Sequence, residues 1–554
     1  MKVKKIILFG LVGLLAFSLG FVAHPNDNYF EISKNMDIFG KLYREINAVY
    51  VDELNPSQVM NTGIKAMLEK LDPYTNFITE SQIEDYKVMS TGQYSGIGVV
   101  IGRRGEKLQL IEIDQKGAAV EAGLRIGDEI LQIDNESMED APRDLDEINN
   151  LLKGEQGASV KLTVQREGES SPRVIHVPRT FVRTKNVPYY GMATDNIGYI
   201  ILSGFTQDAG KEVAEATISL KKDHEELRGI ILDLRGNPGG RLDESINVTN
   251  VFVPKNELIV ETRGRMEGAS RQYSTQRAAI DTEIPLVVIV NSGSASASEI
   301  VSGTIQDLDR GVIVGQRSYG KGLVQNVRRL SYNTQLKVTI AKYYTPSGRC
   351  IQAIDYTHRN ADGSVGRIAD SLQTAFKTRN GRTVYDGGGV LPDLIVDKPA
   401  FQPVTQGLLD QGLIFNFATS YSVKHTQIAQ ARDFRIDDKI YNEFVQYVEE
   451  QNFSFESQTD LKLVELQEAI NRAQYEALEK DLKVLKQKLI QQKDQDLRKH
   501  RQEIAALLRT EIIRRYYYKK GIIEASFDSD PDLVAAIDLL NKPEKYRKVL
   551  SHHE

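Results

Sequence analysis

Four short apolar runs do most to limit what this chain can become: "IGYIIL" (197–202), "GIILDL" (229–234), "PLVVIV" (285–290) and "GVIVG" (311–315). Unbroken runs of this length, rich in branched residues, suit buried strands, and amphipathic segments lie between several of them. Residues 183–400 therefore read as an α/β core. The flanking chain does not share the pattern, so the core is one module among several.

At 554 residues the chain exceeds one ordinary hydrophobic core. Residues 25–85 read as short helices, with Phe39, Leu42 and Ile46 at helical spacing, and "KLDPYTNF" (70–77) breaks that pattern as a turn. Residues 86–182 switch to short β-runs separated by glycines, interrupted by helical pieces at "AAVEAG" and "RDLDEINNLLKG", which predicts a small, partly open β-barrel with two helices. Residues 401–554 change character again. Between 459 and 520 leucine and isoleucine recur at helical spacing amid dense charge, without proline, and the next glycine is Gly521. Such a segment reads as long surface-charged helices, a hairpin among them, serving packing or assembly. The whole is a multidomain α+β chain.

A net charge of −6 gives no basic field for nucleic acid. Cys350 is the only cysteine, so no intrachain disulfide forms. At the N-terminus Lys2, Lys4 and Lys5 precede "IILFGLVGLLAFSLGFVA", eighteen uncharged residues from Ile6 to Ala23. Residues 1–24 are thus expected to be a secretion signal or a membrane anchor. Phe21 stands where cleavage favours a small residue, which points to a retained anchor with the rest of the chain exported; a cleaved signal is the alternative.

"YSGIGVV" (94–100) sets Gly96 and Gly98 around Ile97 at the start of a strand. Glycines let successive backbone N–H groups turn toward one point, a nest for a carboxylate, and the adjoining strand edge can hold a peptide. A lone G-x-G is more often a plain turn. Here "GAAVEAGLRIGDEILQID" (117–134), with Asp128 after its glycine turn, follows at the right distance, and the two segments together resemble a PDZ domain. The resemblance implies that Gly96, Ile97 and Gly98 bind the C-terminal carboxylate of a polypeptide.

"NSGSASASEI" (291–300) places serines at 292, 294, 296 and 298, after the "PLVVIV" strand. Ser296 and Glu299 have the spacing of a capping box, and that reading needs no chemistry. A serine at a strand-to-helix junction also lies beside unpaired helix N–H groups, and the N–H of Ala297 is the natural oxyanion donor. A nucleophile needs a base. The histidines (24, 176, 224, 358, 425, 500, 552 and 553) suit surface or packing roles better. Lysine is the remaining candidate, since burial can depress its pKa until it is neutral. Lys321, between glycines in "GQRSYGKGLVQ", is one such lysine, although an exposed turn explains it as well. Gly315, Gly320 and Lys321 also fit a phosphate-binding G-x-x-x-x-G-K, but Gly322 stands where Ser or Thr should follow, and the next segment suits a strand. In "GIILDLRGNPGG" the glycines at 239 and 240 permit close backbone approach, or only a turn.

Taken together, "GIILDLRGNPGG", "VNSGSASASEIVSG", "GQRSYGKGLVQ", "YYTPSGRCIQ" and "GGVLPDLIVD" stand in the order and approximate spacing of C-terminal processing (tail-specific) serine proteases. The resemblance, which includes the upstream PDZ module, covers roughly residues 35–398. It implies a crotonase-like core and a Ser-Lys dyad: Ser296 as nucleophile, Lys321 as base and Gln325 orienting the lysine. The oxyanion hole would be the N–H of Ala297 with that of Gly239 or Gly240. No cofactor or metal is implied. The expected partners are polypeptides with a free C-terminus, on the periplasmic side of an inner membrane, with the C-terminal helices serving a homo-oligomer or an adaptor. A non-catalytic PDZ scaffold is the rival reading. Cys350 departs from the family's usual small hydroxyl residue, and the region after 400 lies outside the resemblance.

Overall fold

A computed structural model describes residues 28–83, 86, 91–138, 144–360, 362–398 and 400–551. The apolar stretch at 6–23 lies outside them. Among the described residues no helix is long and apolar enough to cross a membrane. The described residues form two compact units: those up to residue 78 with 327–338, and those from 79 to 326 with those from 339 onward.

Among the described residues of the first unit the expected short helices are two, and the first is long: α1, Asn28–Val49, and α2, Pro56–Glu69. Asn55 starts α2 by accepting the Gln58 N–H at 3.1 Å, with Pro56 in the first turn, where its missing N–H costs nothing. The turn after α2 is closed by the Asp72 carboxylate, which accepts from the N–H groups of Tyr74 and Thr75. It ends sooner than the sequence suggests, because Asn76–Ile78 already pairs antiparallel with Gln335–Lys337.

The second unit opens with the β-module. Strand β1 (Gln93–Gly96) pairs with Thr180–Arg183, and β2 (Val99–Arg104) forms the edge of a sheet that continues through Lys107–Ile113, Glu129–Ile133, Ser159–Gln165 and Arg173–Pro178. A four-residue helix at Ala118–Glu121 and α3 (Leu145–Leu152) complete the expected barrel with two helices. Asp144 caps α3, whose buried face carries Ile148 and Leu152 onto a core with Leu110, Ile130 and Leu162. Asp128 is bound by both the Nε and Nη2 of Arg166 (2.8 and 2.7 Å), and both side chains are buried.

The α/β core has six strands in the order β3 (Tyr189–Thr194), β4 (Ile197–Ile201), β5 (Gly229–Asp233), β6 (Leu286–Val290), β7 (Val312–Gly315), β8 (Leu394–Ile395). Only the first pair is antiparallel. Strand periodicity divides the apolar runs between two faces. Ile230, Leu232, Leu286, Val288 and Ile313 pack under α4 (Ala209–Asp223), α5 (Leu242–Thr249) and α6 (Ala297–Asp307). Ile231, Val287, Ile289, Val312 and Val314 face the other way and need a second cover.

That cover comes from the last of the C-terminal helices, which are α7 (Pro403–Asp410), α8 (Leu413–Lys424), α9 (Asp438–Glu450), α10 (Gln458–Ala473), α11 (Glu476–Lys499), α12 (Arg501–Ser526), α13 (Pro531–Leu540) and α14 (Pro543–Leu550). Leu533, Ala536 and Leu539 of α13 are fully buried on the sheet. Tyr546 of α14 donates its hydroxyl to the Leu286 carbonyl (3.1 Å) and accepts the Leu286 N–H (3.0 Å). The expected hairpin is α10–α11. In contrast to the expectation of surface helices, α12 is central: Ile504, Leu508, Ile512 and Ile513 are inaccessible. The same helices grip the β-module. Phe415 of α8 enters its core, and Arg514 of α12 pairs with Glu112 at 3.1 Å.

Candidate active site

Strand β6 delivers the chain into the loop Asn291–Ala295 and then to Ser296, the residue before α6. Ser296 has φ 54° and ψ −111°, a conformation costly for a residue with a Cβ and held only by its surroundings. Two neighbouring serines supply the hold. Ser294 donates to the Leu234 carbonyl (2.8 Å), and Ser298 donates to the Asn237 carbonyl (2.9 Å); both are buried. Ser292 is exposed. Of the four serines, Ser296 alone is half-buried on a strained turn.

Gly239 packs against this turn. It has φ +98°, and a Cβ there would lie 2.7 Å from the Ala295 oxygen and 2.9 Å from the Ala297 nitrogen, so only glycine fits. Its N–H goes to the Asn237 side-chain oxygen at 2.9 Å. The N–H groups of Ala297 and Gly240 make no hydrogen bond among the described residues. Of the two glycines expected to supply a second donor, Gly240 is the one whose N–H is uncommitted. Asn237, which sequence reasoning took for part of a turn, is fully buried. Its amide donates to the Leu202 carbonyl (2.7 Å), and its own carbonyl accepts the Ala295 N–H (3.0 Å).

Lys321 follows β7 in the loop Gln316–Gly322. Its N–H donates to Glu299 Oε2 at 2.9 Å, and the Ser296 N–H donates to the same oxygen at 2.8 Å. The two backbone nitrogens are therefore closer than the sum of those lengths. The Tyr343 hydroxyl adds a second bridge, 3.1 Å from the Ser296 carbonyl oxygen and 2.5 Å from that of Lys321. Glu299 Oε1 accepts from Gly320 N–H (2.7 Å) and Ser318 Oγ (2.5 Å). Full burial pushes the Glu299 carboxyl up to about 7, against the opposing pull of the Ser318 hydroxyl and the N–H groups of Lys321, Gly320 and Ser296. Four donors converge on the two oxygens and favour the carboxylate, but burial outweighs them.

The capping spacing seen in the sequence thus has a second use: Glu299 ties the start of α6 to the lysine loop. No local signal reveals its partner 22 residues on, nor Tyr343. The phosphate-loop reading fails here, because the N–H groups of Gly320 and Lys321 are spent on Glu299 and Leu323–Arg329 is a strand, not a helix. Gln325 lies on that strand, which begins two residues after Lys321. Its amide donates to Thr339 Oγ1 at 3.2 Å. Among the described residues no cluster of side chains suits a metal ion.

In the β-module, Ile97 is buried in the core, and Gly98 has φ +72°. Gly96 pairs with Thr180, and Ile97 and Gly98 form the loop leading into edge strand β2, which packs near α3. An edge strand beside a helix, entered through a glycine loop, is the geometry that admits an added peptide strand.

Three family models match in chain order: "PDZ domain" at residues 111–166, "Peptidase family S41" at 196–358 and "Probable PDZ-protease, C-terminal helical domain" at 404–540. The carboxy-terminal-processing protease of Bartonella bacilliformis is 33% identical over 359 residues, covering 64% of this chain and 82% of that protein. The chain belongs to the carboxy-terminal-processing protease family. It is a serine-type peptidase with a PDZ domain, an S41 protease core and a C-terminal helical domain. A probable CtpA-like serine protease of Staphylococcus haemolyticus is 30% identical, covering 56% of this chain and 61% of that one. Among solved structures, the photosystem II D1 C-terminal processing protease is 26% identical, with 65% of this chain and 92% of that chain covered at a TM-score of 0.36.

Proposed function

We propose that this protease works through a Ser296–Lys321 dyad on polypeptides whose free C-terminus is held by the PDZ domain. The observation that carries the reading is the shared Glu299 oxygen, which joins the backbones of the strained serine and the lysine. Neutral Lys321 takes the Ser296 proton, and the serine oxygen attacks the scissile carbonyl. The oxyanion forms toward the N–H groups of Ala297 and Gly240, where each donor contributes about 10²–10³ in rate. Lys321 then gives its proton to the leaving amine, and water hydrolyses the acyl-enzyme. Gln325 lies on the strand after the lysine, with Thr339 holding its amide. Activity rises with pH as the lysine loses its proton.

The PDZ end of the reading places the substrate carboxylate on the Ile97–Gly98 loop and its last residues along β2. The basic N-terminus and the apolar stretch at 6–23 support export, with the protein anchored at the periplasmic side of an inner membrane. The helical domain is a candidate surface for a second copy or an adaptor. Purified protein incubated with a disordered polypeptide tests the centre of this reading. The parent cleaves, whereas Ser296→Ala and Lys321→Ala do not; equal cleavage by either variant removes the dyad. Amidating the substrate's C-terminus raises KM if the PDZ loop reads a carboxylate, and an unchanged KM removes that role.

A further inference from the structure

The C-terminal helices do more than cover the sheet at one place. Strands β5 and β7 flank β6, the strand that leads to Ser296. Two residues beyond β5 is Arg235, just before the loop that carries Asn237, Gly239 and Gly240. Its Nε and Nη2 bind Asp233, with Nη2 at 2.6 Å from Oδ2, and its Nη1 reaches across to α13. There it donates to both oxygens of Asp530 (2.9 and 2.7 Å) and to Asp532 Oδ2 (2.9 Å). Asp530 is the cap of α13, accepting the N–H groups of Asp532 and Leu533. The other oxygen of Asp532 accepts from Gln316 Nε2 at 2.9 Å. Gln316 is the first residue after β7, at the head of the loop that carries Lys321.

One carboxylate of the helical domain therefore holds both strand ends on either side of the nucleophile's strand. We propose that Asp530 and Asp532 are positioning residues for the protease reaction, fixing the glycine loop through Arg235 and the lysine loop through Gln316. The proposal rests on the Ser296–Lys321 reading. The apolar contacts of Leu533, Ala536 and Leu539 keep α13 on the sheet without these acids. What the acids add is the placement of two loops whose glycine and lysine must meet one carbonyl, and a misplacement near 1 Å costs about 10²-fold in rate. The three Arg235 nitrogens are all committed, so the guanidinium fork has one orientation.

The test compares kcat and KM for a disordered polypeptide, together with thermal unfolding, in the full chain. Asp532→Asn turns an amide N–H₂ toward Arg235 or Gln316, and kcat falls tenfold or more with KM little changed. Arg235→Gln lowers kcat at least as far, and Arg235→Lys, which keeps the charge, recovers part of it. Gln316→Ala, which leaves the arginine pairs whole, lowers kcat several-fold. Asp538→Asn, an exposed change on the same helix whose partners are Lys542 and Lys545, leaves kcat unchanged. Folded Asp532→Asn and Gln316→Ala variants with kcat within twofold of the parent overturn the proposal. So does a loss that cooling below the unfolding transition fully restores. If Arg235→Gln does not fold, the Asp532→Asn and Gln316→Ala pair decides. A parent that does not cleave, or a Ser296→Ala variant that does, refutes the dyad instead and is read separately.

Discussion

Replacing Glu299 by glutamine should separate what the buried carboxylate does for the site from what it does for the fold. The carboxylate accepts four hydrogen bonds, from Ser296, Lys321, Gly320 and Ser318. The best arrangement of an amide keeps its oxygen toward Ser296 and Lys321. Its N–H₂ then meets Ser318 Oγ, which can turn to accept, and the Gly320 N–H, which cannot. One buried N–H is left without an acceptor, a penalty of about 1–3 kcal/mol. Gly320 adjoins Lys321, so the strain is relieved by moving the lysine loop. At about 1.4 kcal/mol per factor of ten, kcat falls roughly 10- to 100-fold while KM changes little. Stability responds differently. A folded-state value raised from 4.5 to about 7 means that the folded protein holds the proton more tightly. The corresponding stability is full below pH about 4.5 and is lost as pH rises through about 7, roughly 3 kcal/mol in all. Glutamine removes that slope. Steady-state cleavage of a disordered polypeptide gives kcat, and urea unfolding from pH 4.5 to 8 gives the slope. A Glu299→Gln protein with kcat within threefold of the parent would refute the idea that this carboxylate sets the dyad's geometry.

Gly239→Ala puts a Cβ 2.7 Å from the Ala295 oxygen at φ +98° and should cost stability as well as activity, by about 2 kcal/mol or more in urea titration. Tyr343→Phe removes the hydroxyl between the Ser296 and Lys321 carbonyls; kcat drops about tenfold in the same cleavage assay, and urea unfolding shows a loss of about 0.5–1.5 kcal/mol. Asp128→Asn leaves buried Arg166 without its charge partner, at a cost of about 3–5 kcal/mol, seen as early protease sensitivity within residues 91–183.

How far the sequence reached depends on how local each signal was. The strands β4 to β7 were legible because their runs are unbroken, and the β-module because its glycines and apolar residues alternate over short distances. Ser296 and Glu299 are legible as a pair because they stand three positions apart; the link from Glu299 to Lys321 is not, since it depends on β7 lying beside β6. Gln325 comes from the family resemblance alone; no local signal says that the strand carrying it begins only at Leu323, which leaves Lys321 in the loop before it. The largest gap is the helical domain. Its dense charge suggested an outward-facing tail, yet the even apolar quality of "PLVVIV" and "GIILDL" carries the missing information. A strand that is apolar at every position has two faces to bury, and the helices between the strands cover only one. The other face, with Ile231, Val287, Ile289, Val312 and Val314, has its cover in α13 and α14. A chain cut after residue 400 would leave those residues bare along the centre of the sheet, and each fully buried aliphatic side chain is worth about 1.5–3 kcal/mol. Residues 28–400 alone are therefore expected to be insoluble or to bind a hydrophobic dye, as read by centrifugation and dye fluorescence. A soluble, dye-silent fragment would show that the sheet can fold with one face open, and that the helices serve the loops alone.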